Sequence, residues 1–538
     1  MTLKTCALMI RYRSSKQLTI AEFDWPFETA LDPNNRWVKL SQCIPWDELA
    51  ESYYHGFSAE RGRPLKDARL VIGAVIIKHK QKLSDVETVQ QIQETPYLQY
   101  FVGLPGYQQA EPFAPSLFVE IRKRMGESVF EAFHRAVIDA HDGKRDKCQP
   151  GSADEPPSQK PPSGPSTTDS TLQGGSAQQP VEPTHQGKLI LDATVVEQAI
   201  RYPTDLGLLN EAREFSEQII DTLCASLRAV KKPRTYRDKA RQAYLAIAKQ
   251  KRPSGKKVRR GIKQQLQYLR RNLGHIEQLL LHFPEAKPLP LPGWLLHRYW
   301  VIQHLFQQQW AMYHSQTRRC DGRIVSISQP YVRPIVRGKL NKPVEFGAKL
   351  SVSLTEDGFA QVDYLRWDAF HEGLDLASQV EAYRDRHGYY PERVLADPLY
   401  GTRANRDYLK QRGIHFAGKP LGRPKQVTDE NREQLKQFKE QRRQDYLQRI
   451  PIEGLFGRGK NGYQLNYIRA KRANTSLAWI NSIFLVMNLM VLQRIFFVTS
   501  KMDIIGWVVL LKRLWKLPRV NDQLNFYLPD ARLGIYAY

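Results

Sequence analysis

Three carboxylates in this chain have the residue type and setting that metal-dependent chemistry on phosphate esters requires. Asp192 and Asp397 each follow an apolar run, and Glu453 lies in a spaced pattern of tyrosine, arginine and lysine. Mg²⁺ prefers oxygen ligands and keeps several waters, so a few carboxylates suffice to bind it. Two such ions, roughly 3.5 to 4 Å apart, can activate an attacking oxygen and stabilise the leaving one. The three residues together predict a metal-dependent enzyme that acts on DNA phosphodiesters.

The pattern around Glu453 is Tyr-x2-Arg-x3-Glu-x6-Lys, formed with Tyr446, Arg449 and Lys460. On a single helix at 100° per residue, these four side chains would lie within about 60° of one another. Pro451 would interrupt the hydrogen bonds of that helix, and the glycines after it weaken the remainder. We therefore expect a kink just before the proline, with Lys460 beyond the helix end. A helix packing face with an exposed cation stays an alternative interpretation.

The elements around the two aspartates follow the order of an RNase H-like α/β core. The run 188–194 predicts a buried strand that ends in a carboxylate, and 393–397 repeats that arrangement. Between them we predict a hairpin that turns at Asp357-Gly358, then a helix. A helix capped by Thr402 and a short strand at 414–417 follow. In such a core the first and fourth strands are neighbours, so two carboxylates remote in sequence would meet at one sheet edge.

Length and composition divide the chain into several parts. With 538 residues the chain should hold two or three domains, and a net charge of +25 favours a polyanionic partner. We predict an all-α domain at 1–143, a disordered Pro/Ser/Gly linker at 144–187, and an RNase H-like mixed-sheet domain at 188–500. Within the RNase H-like domain, a basic helical insertion occupies about 205–330. Residues 501–538 form a C-terminal tail.

The all-α region carries two helix start signals and a basic stretch. Ser84 with Glu87 predicts a capping box, and Pro115-Ser116 predicts the start of another helix. The cations of 122–124 then permit a helix-turn-helix that binds DNA. A helical bundle with an ordinary charged face explains the same residues equally well, so both interpretations stay open.

The insertion concentrates the positive charge of the chain. Residues 228–271 contain seventeen Lys and Arg against one acid, Asp238, a local charge of +16. Apolar spacing predicts a helical hairpin broken near Pro253-Ser-Gly255. Its basic face would suit a phosphate backbone, and a solvated surface without a partner is the alternative. The predicted DNA contacts of this face are Lys256, Lys257, Arg259 and Arg260.

Two apolar features are predicted to be buried. The uncharged stretch 473–493 is interrupted by Asn and Gln, which favours a core helix over a membrane span. Trp294, Trp300 and Trp310 are also predicted to be core residues. The five cysteines form no C-x2-C pair, and 1–15 lacks the apolar core of a secretory signal, so we expect a cytoplasmic protein without a membrane partner.

These motifs resemble those of bacterial insertion-sequence DDE transposases. The pattern from Tyr446 to Lys460 matches the glutamate signature of that group, and Leu395 to Gly401 looks like its second-aspartate segment. The linker and the basic insertion lie outside the resemblance, and the insertion explains the long spacing between the two aspartates. Further similarity lies in Leu191 to Thr194, Gly62 to Leu65, Ser84-Asp85 and Pro112 to Ser116.

The resemblance implies a metal centre made of Asp192, Asp397 and Glu453. It would hold two Mg²⁺ ions, with Mn²⁺ able to substitute. The implied reaction is hydrolysis of phosphodiesters at the ends of the element, followed by joining of the 3′-hydroxyls to target DNA.

The resemblance also implies double-stranded DNA as the partner, both as element ends with terminal inverted repeats and as target. Arg449 and Lys460 would contact phosphates, and Tyr446 would position the DNA. A homodimer in the DNA complex and a nucleoid-associated location are expected. A catalytically retired DNA-binding regulator on the same scaffold, or an RNase H-like nuclease that does not rejoin strands, are the alternatives.

Overall fold

A computed structural model describes most of the chain, and for 142–147 and 499–514 the backbone alone. Of the predicted linker at 144–187, residues 148–184 lie outside the described residues, and so do residues 515–538 of the predicted tail at 501–538. The described ranges are 22–24, 30–55, 57, 65–147, 185–227, 230–284, 288–337, 343–422 and 427–514.

The N-terminal region is helical, as predicted. The capping box is confirmed, because the Ser84 backbone N–H donates to Glu87 at 2.7 Å and the Glu87 N–H donates to the Ser84 hydroxyl at 3.2 Å. The helix predicted after Pro115-Ser116 begins at Leu117. The seven helices of this described region are α1 Arg36–Cys43, α2 Trp46–Tyr54, α3 Ala68–Gln81, α4 Asp85–Glu94, α5 Pro96–Phe101, α6 Leu117–Arg124 and α7 Glu127–Lys147.

The cations of α6 make contacts within the protein. Arg122 donates two hydrogen bonds to the Asp85 carboxylate, at 3.0 and 2.8 Å. Lys123 pairs within its own helix, and the guanidinium of Arg124 lies over the Phe57 ring. These contacts favour the helical bundle over a helix-turn-helix that presents 122–124 to DNA.

The centre of the chain is a mixed sheet that is consistent with the predicted RNase H-like core. Its order is β2-β3-β1-β5-β6, and β4 also pairs with β3. Strand β1 runs antiparallel to β3 and parallel to β5, and the predicted turn at Asp357-Gly358 joins β3 to β4. The short β2 was not predicted. The strands are β1 Lys188–Glu197, β2 Arg333–Val336, β3 Val344–Thr355, β4 Ala360–Arg366, β5 Arg393–Ala396 and β6 His415–Ala417.

Helices cover both faces of this sheet. Leu189, Leu191 and Val394 pack against α12 and α13 on one face, while Ile190 and Leu395 pack against α14 and α15 on the other. The predicted Thr402 cap is confirmed by a hydrogen bond from the Asn405 N–H. The helices are α12 Leu376–His387, α13 Arg403–Gln411, α14 Arg432–Gly462 and α15 Ala473–Leu514, with single 3-10 turns at Glu372–Leu374 and Pro398–Tyr400.

The insertion between β1 and β2 has its own apolar core, and its predicted hairpin is confirmed. Its longest helix buries Leu266, Leu269 and Ile276 and exposes its cations. The prediction for the tryptophans was wrong in two cases, because Trp294 and Trp300 are 54% and 56% exposed. The helices are α8 Asp205–Ser226, α9 Arg237–Ala248, α10 Gly255–Leu280 and α11 Gly293–His314.

Helix α15 joins the N-terminal helices to the sheet. The segment Ala473–Val498 is long and apolar enough to cross a membrane, but 83% of its most apolar window is buried in protein, as a core helix would be. The Asn488 amide donates to the Ala360 carbonyl at 2.7 Å and lies 3.1 Å from His134 Nδ1 on α7. One side chain of α15 therefore bridges α7 and β4.

Burial, reinforced by the charge of Arg386, lowers the pKa of His134 to about 4. The unfolded chain would bind a proton near pH 6.5, so this histidine contributes stability above that pH and loses it as the pH falls towards 4. Between pH 7 and pH 4 the free energy of unfolding of the wild type falls, and His134 accounts for about 3 kcal/mol of that fall. We therefore expect the free energy of unfolding of His134→Gln to fall by about 3 kcal/mol less over the same range. Urea unfolding across this range measures the effect. Replacement of the exposed His282 by Gln is the control, and identical profiles for His134→Gln and wild type would contradict the prediction.

Candidate active site

Strand register places Asp192 beside Asp397. The parallel pairing of β1 with β5 ends at the pair Leu191 and Ala396, and the two aspartates come next, Asp192 on β1 and Asp397 just past the end of β5. Both belong to the face that carries Ile190, where α14 packs. The juxtaposition of two carboxylates that are 205 residues apart in sequence therefore follows from four residue pairs.

The prediction that Asp192 ends its strand was wrong. Strand β1 continues to Glu197, because β3 goes on pairing with it from Asp192 opposite Val352 to Glu197 opposite Gly347. The neighbouring strand β5 is shorter, and its pairing with β1 ends just before Asp192. The side chain is thus held in the middle of a rigid strand, next to the gap that β5 leaves.

Arg449 links the first aspartate to the glutamate. Its Nη1 lies 3.2 Å from Asp192 Oδ2, and its Nη2 lies 2.5 Å from Glu453 Oε1. The Arg449 side chain is only 13% exposed, whereas that of Glu453 is 48% exposed. The structure therefore brings Asp192, Arg449 and Glu453 together, as the sequence pattern predicted.

All four residues of the pattern lie on α14, which runs through Pro451. The prediction that Lys460 lies beyond the helix end was wrong, since it falls in the last turn. The helix tolerates the proline because Ile452, Leu455 and Phe456 bury their side chains against the sheet, and tertiary burial outweighs local propensity. The kink just before Pro451 stays a prediction.

The electrostatic setting of Asp192 favours a bound cation. Burial raises the pKa of this carboxyl, and the charges of Asp397 and Glu372 act in the same direction. The Ala193 N–H, 2.8 Å from Oδ1, and the Arg449 guanidinium oppose that rise. Several carboxylates thus share one poorly solvated region, where like charges repel and a cation would relieve them.

Glu372 was not found from the sequence. It lies in a single 3-10 turn beside the turn that follows Asp397, and its carboxylate pairs with Lys349 at 2.6 Å. Sequence periodicity stops at Trp367 and resumes at Leu376, so the segment between them carried no signal.

The donor set fits a hard divalent ion in its chemistry. Carboxylate oxygens of Asp192, Asp397 and Glu453 are the ligands Mg²⁺ prefers, and a cation, the Arg449 guanidinium, already sits between two of them. Among the described residues, no three His, Cys, Asp or Glu side chains are close enough to form a metal cluster as they stand. Asp192, Asp397 and Glu453 are the residues that could hold such an ion, and Arg449 neutralises two of them in its absence.

A buried ion pair fastens α14 to the sheet. Asp445 is 4% exposed, and its Oδ1 lies 3.2 Å from Arg393 at the start of β5 and 3.1 Å from Gln441 Nε2. Its Oδ2 lies 4.0 Å from His415 on β6. Because Arg449 and Glu453 follow on the same helix, this pair positions both. The sequence pattern gave no reason to single it out.

A cleft of about 550 Å³ opens between α14 and the loops after β5 and β6. Asp397 and Arg449 line it, and so does Tyr446, which is 57% exposed. Further cations that the sequence pattern missed also line it: Lys419, Lys439, Arg442 and Arg443.

Several predicted DNA contacts lie elsewhere. Lys460 does not line this cleft, although it shares α14 with the residues that do. Arg259 stacks on the Tyr313 ring and donates to its carbonyl, so it is partly engaged within the insertion. The other three cations predicted on α10 are exposed: Lys256, Lys257 and Arg260.

With this geometry in place, comparison with known proteins identifies the class. Residues 394–490 match the family model of the transposase DDE domain, a range that contains Asp397 and the whole pattern from Tyr446 to Lys460. Residues 26–124 match a second family model, the transposase domain DUF772, which spans α1 to α6. The two matched segments are thus identified as domains of an insertion-sequence-type DDE transposase. Such domains imply an enzyme that binds DNA, and the family generally uses a divalent metal ion.

One curated relative is an uncharacterized protein, ORF8 in the nfe locus of Rhizobium meliloti. It is 28% identical over 188 residues, which cover 35% of this chain and 74% of that protein. No solved structure matches the chain. Neither family match includes Asp192 or the four helices of the insertion, so these rest on the structure described above.

The pair of Arg393 with Asp445 yields a stability prediction. Arg393→Gln would leave the Asp445 carboxylate buried and without its charged partner, which typically costs about 3 to 5 kcal/mol. We expect a loss of that size in the free energy of unfolding, measured by denaturant titration, with most of it recovered in Arg393→Lys. Arg443→Gln is the control, because its pair with Glu440 is 3.7 Å long and exposed, and should change stability by less than about 1 kcal/mol. Equal losses in the two Gln variants would contradict the positioning role.

Proposed function

We propose that this protein is the transposase of an insertion sequence. It binds the terminal inverted repeats of the element, hydrolyses phosphodiesters at its ends and joins the exposed 3′-hydroxyls to target DNA. The observation that carries the proposal is the register of β1 and β5, which sets Asp192 beside Asp397 on the face where Arg449 reaches Glu453.

In this proposal Asp192, Asp397 and Glu453 hold two Mg²⁺ ions, which Mn²⁺ can replace. The ions would supply activation of the attacking oxygen and charge stabilisation at the leaving oxygen. The chain's own part is to hold the carboxylates at fixed positions. Asp192 is held in a central strand, and Asp397 accepts a hydrogen bond from the Leu399 N–H at 3.0 Å, which orients its carboxylate at the start of the 3-10 turn.

Arg449 has two roles in this proposal. Without DNA it neutralises Asp192 and Glu453, which keeps two acidic groups together in a partly buried site. When the backbone of DNA arrives, the guanidinium can turn to a phosphate oxygen, since planar two-pronged donors suit phosphate as well as carboxylate. Tyr446 positions the strand from the exposed wall of the cleft, and Lys460 contacts a phosphate beyond it.

The wider organisation is part of the same proposal. We assign 1–143 and the α10 cations to DNA binding, 188–500 to catalysis and 144–187 to a linker. The protein acts as a homodimer on DNA in the bacterial cytoplasm, at the nucleoid. The net charge of +25 supports a polyanionic partner such as DNA.

Replacement of Asp397 by Asn tests the reaction. The variant keeps the shape of the side chain but loses a charged oxygen ligand, so we expect cleavage in Mg²⁺ to fall by more than about a hundredfold, with repeat binding unchanged. Nicking of a supercoiled plasmid that carries the element ends measures it. Asp407→Asn, exposed on α13, is the control.

Undiminished nicking by Asp397→Asn would refute the assignment of the triad. Binding by the wild type without any nicking would instead favour the retired regulator. Nicking without strand-transfer products would favour a nuclease.

The exposed cations of α10 yield a second prediction. For duplex DNA, the slope of log affinity against log salt becomes shallower by about 0.9 for each phosphate that the protein no longer neutralises. A variant with Gln at Lys256, Lys257 and Arg260 should therefore have a slope shallower by up to about 2.7. Fluorescence anisotropy with labelled duplex DNA over a salt series measures it. The charge-preserving exchange of Lys and Arg at the same three positions is the control, and an unchanged slope in the Gln variant would place the footprint elsewhere.

A further inference from the structure

The geometry points to a strand-binding site that no motif assigns. We propose that Lys419, Lys439, Arg442 and Arg443 hold the phosphates of the DNA strand that carries the bond to be cleaved, and lead that strand to Asp397. This inference deepens the proposed function and rests on it. The proposed site is the cleft between α14 and the loops after β5 and β6, called here the strand cleft.

The first half of α14 has little contact with the rest of the protein. From residue 432 to residue 444 every side chain is exposed except Leu435, which is half-buried. The helix meets the sheet only from Asp445 onwards, where the ion pair to Arg393 begins. Most helices in proteins are stabilised by packing of one face, so about three turns of unsupported helix beside an active site suggest a ligand surface.

The cations on this half of α14 form one stripe. Lys439, Arg442, Arg443, Tyr446 and Arg449 follow the spacing i, i+3, i+4, i+7 and i+10, and all five line the strand cleft. The stripe is about 15 Å long, the rise of about four nucleotides along one DNA strand. Its inner end is Arg449, which contacts two of the three carboxylates. A backbone that follows the stripe would therefore arrive at the candidate metal centre.

The opposite wall is held in place by Arg406. Its Nη2 donates to the Lys419 carbonyl at 2.5 Å, and its Nε donates to the Gly401 carbonyl at 3.0 Å. The loop that carries Lys419 is thereby tied to the loop that follows Asp397. The floor between the two walls consists of small and apolar residues, Leu395, Ala396 and Ala417, so the walls carry the positive charge.

These cations are available for a ligand. Within the described residues, no carboxylate lies at ion-pair distance from Lys419, Lys439 or Arg442. Arg443 has only the long, exposed contact with Glu440. Unpaired cations that converge on a cleft next to acidic residues suit the phosphodiester backbone, because charge-assisted bonds to phosphate are strong and independent of base sequence.

The test compares two double variants of the full-length protein. Lys439→Gln with Arg442→Gln removes two cations from the strand cleft. Arg432→Gln with Lys436→Gln removes two exposed cations from the same helix that do not line it. The probe is a labelled DNA duplex that carries one element end, used for anisotropy over a salt series, for cleavage in Mg²⁺ and for phosphate-ethylation interference.

We expect the affinity of the strand-cleft variant to fall by at least about tenfold and its salt slope to be shallower by about 1.8. Ethylation of the phosphates next to the cleavage position should interfere with binding by wild type and by the control variant, but not with binding by the strand-cleft variant. The double exchange Lys439→Arg with Arg442→Lys keeps both positive charges, so its affinity should equal that of the wild type. Circular dichroism should be unchanged in every variant, because all substituted side chains are exposed.

Equal reductions of affinity in the two Gln variants, or interference at those phosphates that persists in the strand-cleft variant, would overturn this inference while leaving the proposed function in place. Absence of Mg²⁺-dependent cleavage by the wild type, with affinity still reduced selectively in the strand-cleft variant, would instead overturn the proposed function and leave the strand cleft as a DNA-binding site.

Discussion

The candidate active site depends on the parallel pairing of β1 with β5. Four residue pairs, from Lys188 with Arg393 to Leu191 with Ala396, place two distant aspartates at adjacent positions. A shift of one residue would turn one aspartate to the opposite face, because side chains alternate along a strand. The apolar cores on both faces fix this register, since Leu189 and Leu191 fill one and Ile190 and Leu395 fill the other. The chemistry therefore depends on the packing of residues that take no part in it.

The third carboxylate reaches the site by a different route. Glu453 lies on α14, and two contacts set the position of that helix: the buried pair of Asp445 with Arg393 and the packing of Ile452 and Leu455 on the sheet. Arg449 then bridges the helix to β1. The side chains on the first half of the same helix are almost all exposed, so one element combines an end fixed at the candidate site with an exposed basic end. This arrangement links the site where DNA would lie to the site where it would be cut.

Much of this could be predicted from the sequence, where patterns are local. The capping box at Ser84, the turn at Asp357-Gly358 and the two aspartate strands each have a short-range signal, and all were found. The extent of β1 was not, because its continuation past Asp192 depends on a partner strand that is 150 to 158 residues away. Propensity at Pro451 pointed to a broken helix, but burial of its neighbours prevailed. Glu372, Asp445 and the strand cleft were missed because long-range packing alone brings their residues together.

Helix α15 packs on the N-terminal helices with one part of its surface and on the sheet with another, so Leu485 and Val486 share a core with α3 and α7, and Phe484 and Met487 share one with β1 and β3. The helical region and the catalytic sheet are thus separate in sequence but not in their interior. A chain cut within 148–184 would leave each piece with an uncovered apolar face, a typical cause of aggregation. The two parts are therefore expected to fold as a single unit, and transplanting either one alone would require a new surface for α15.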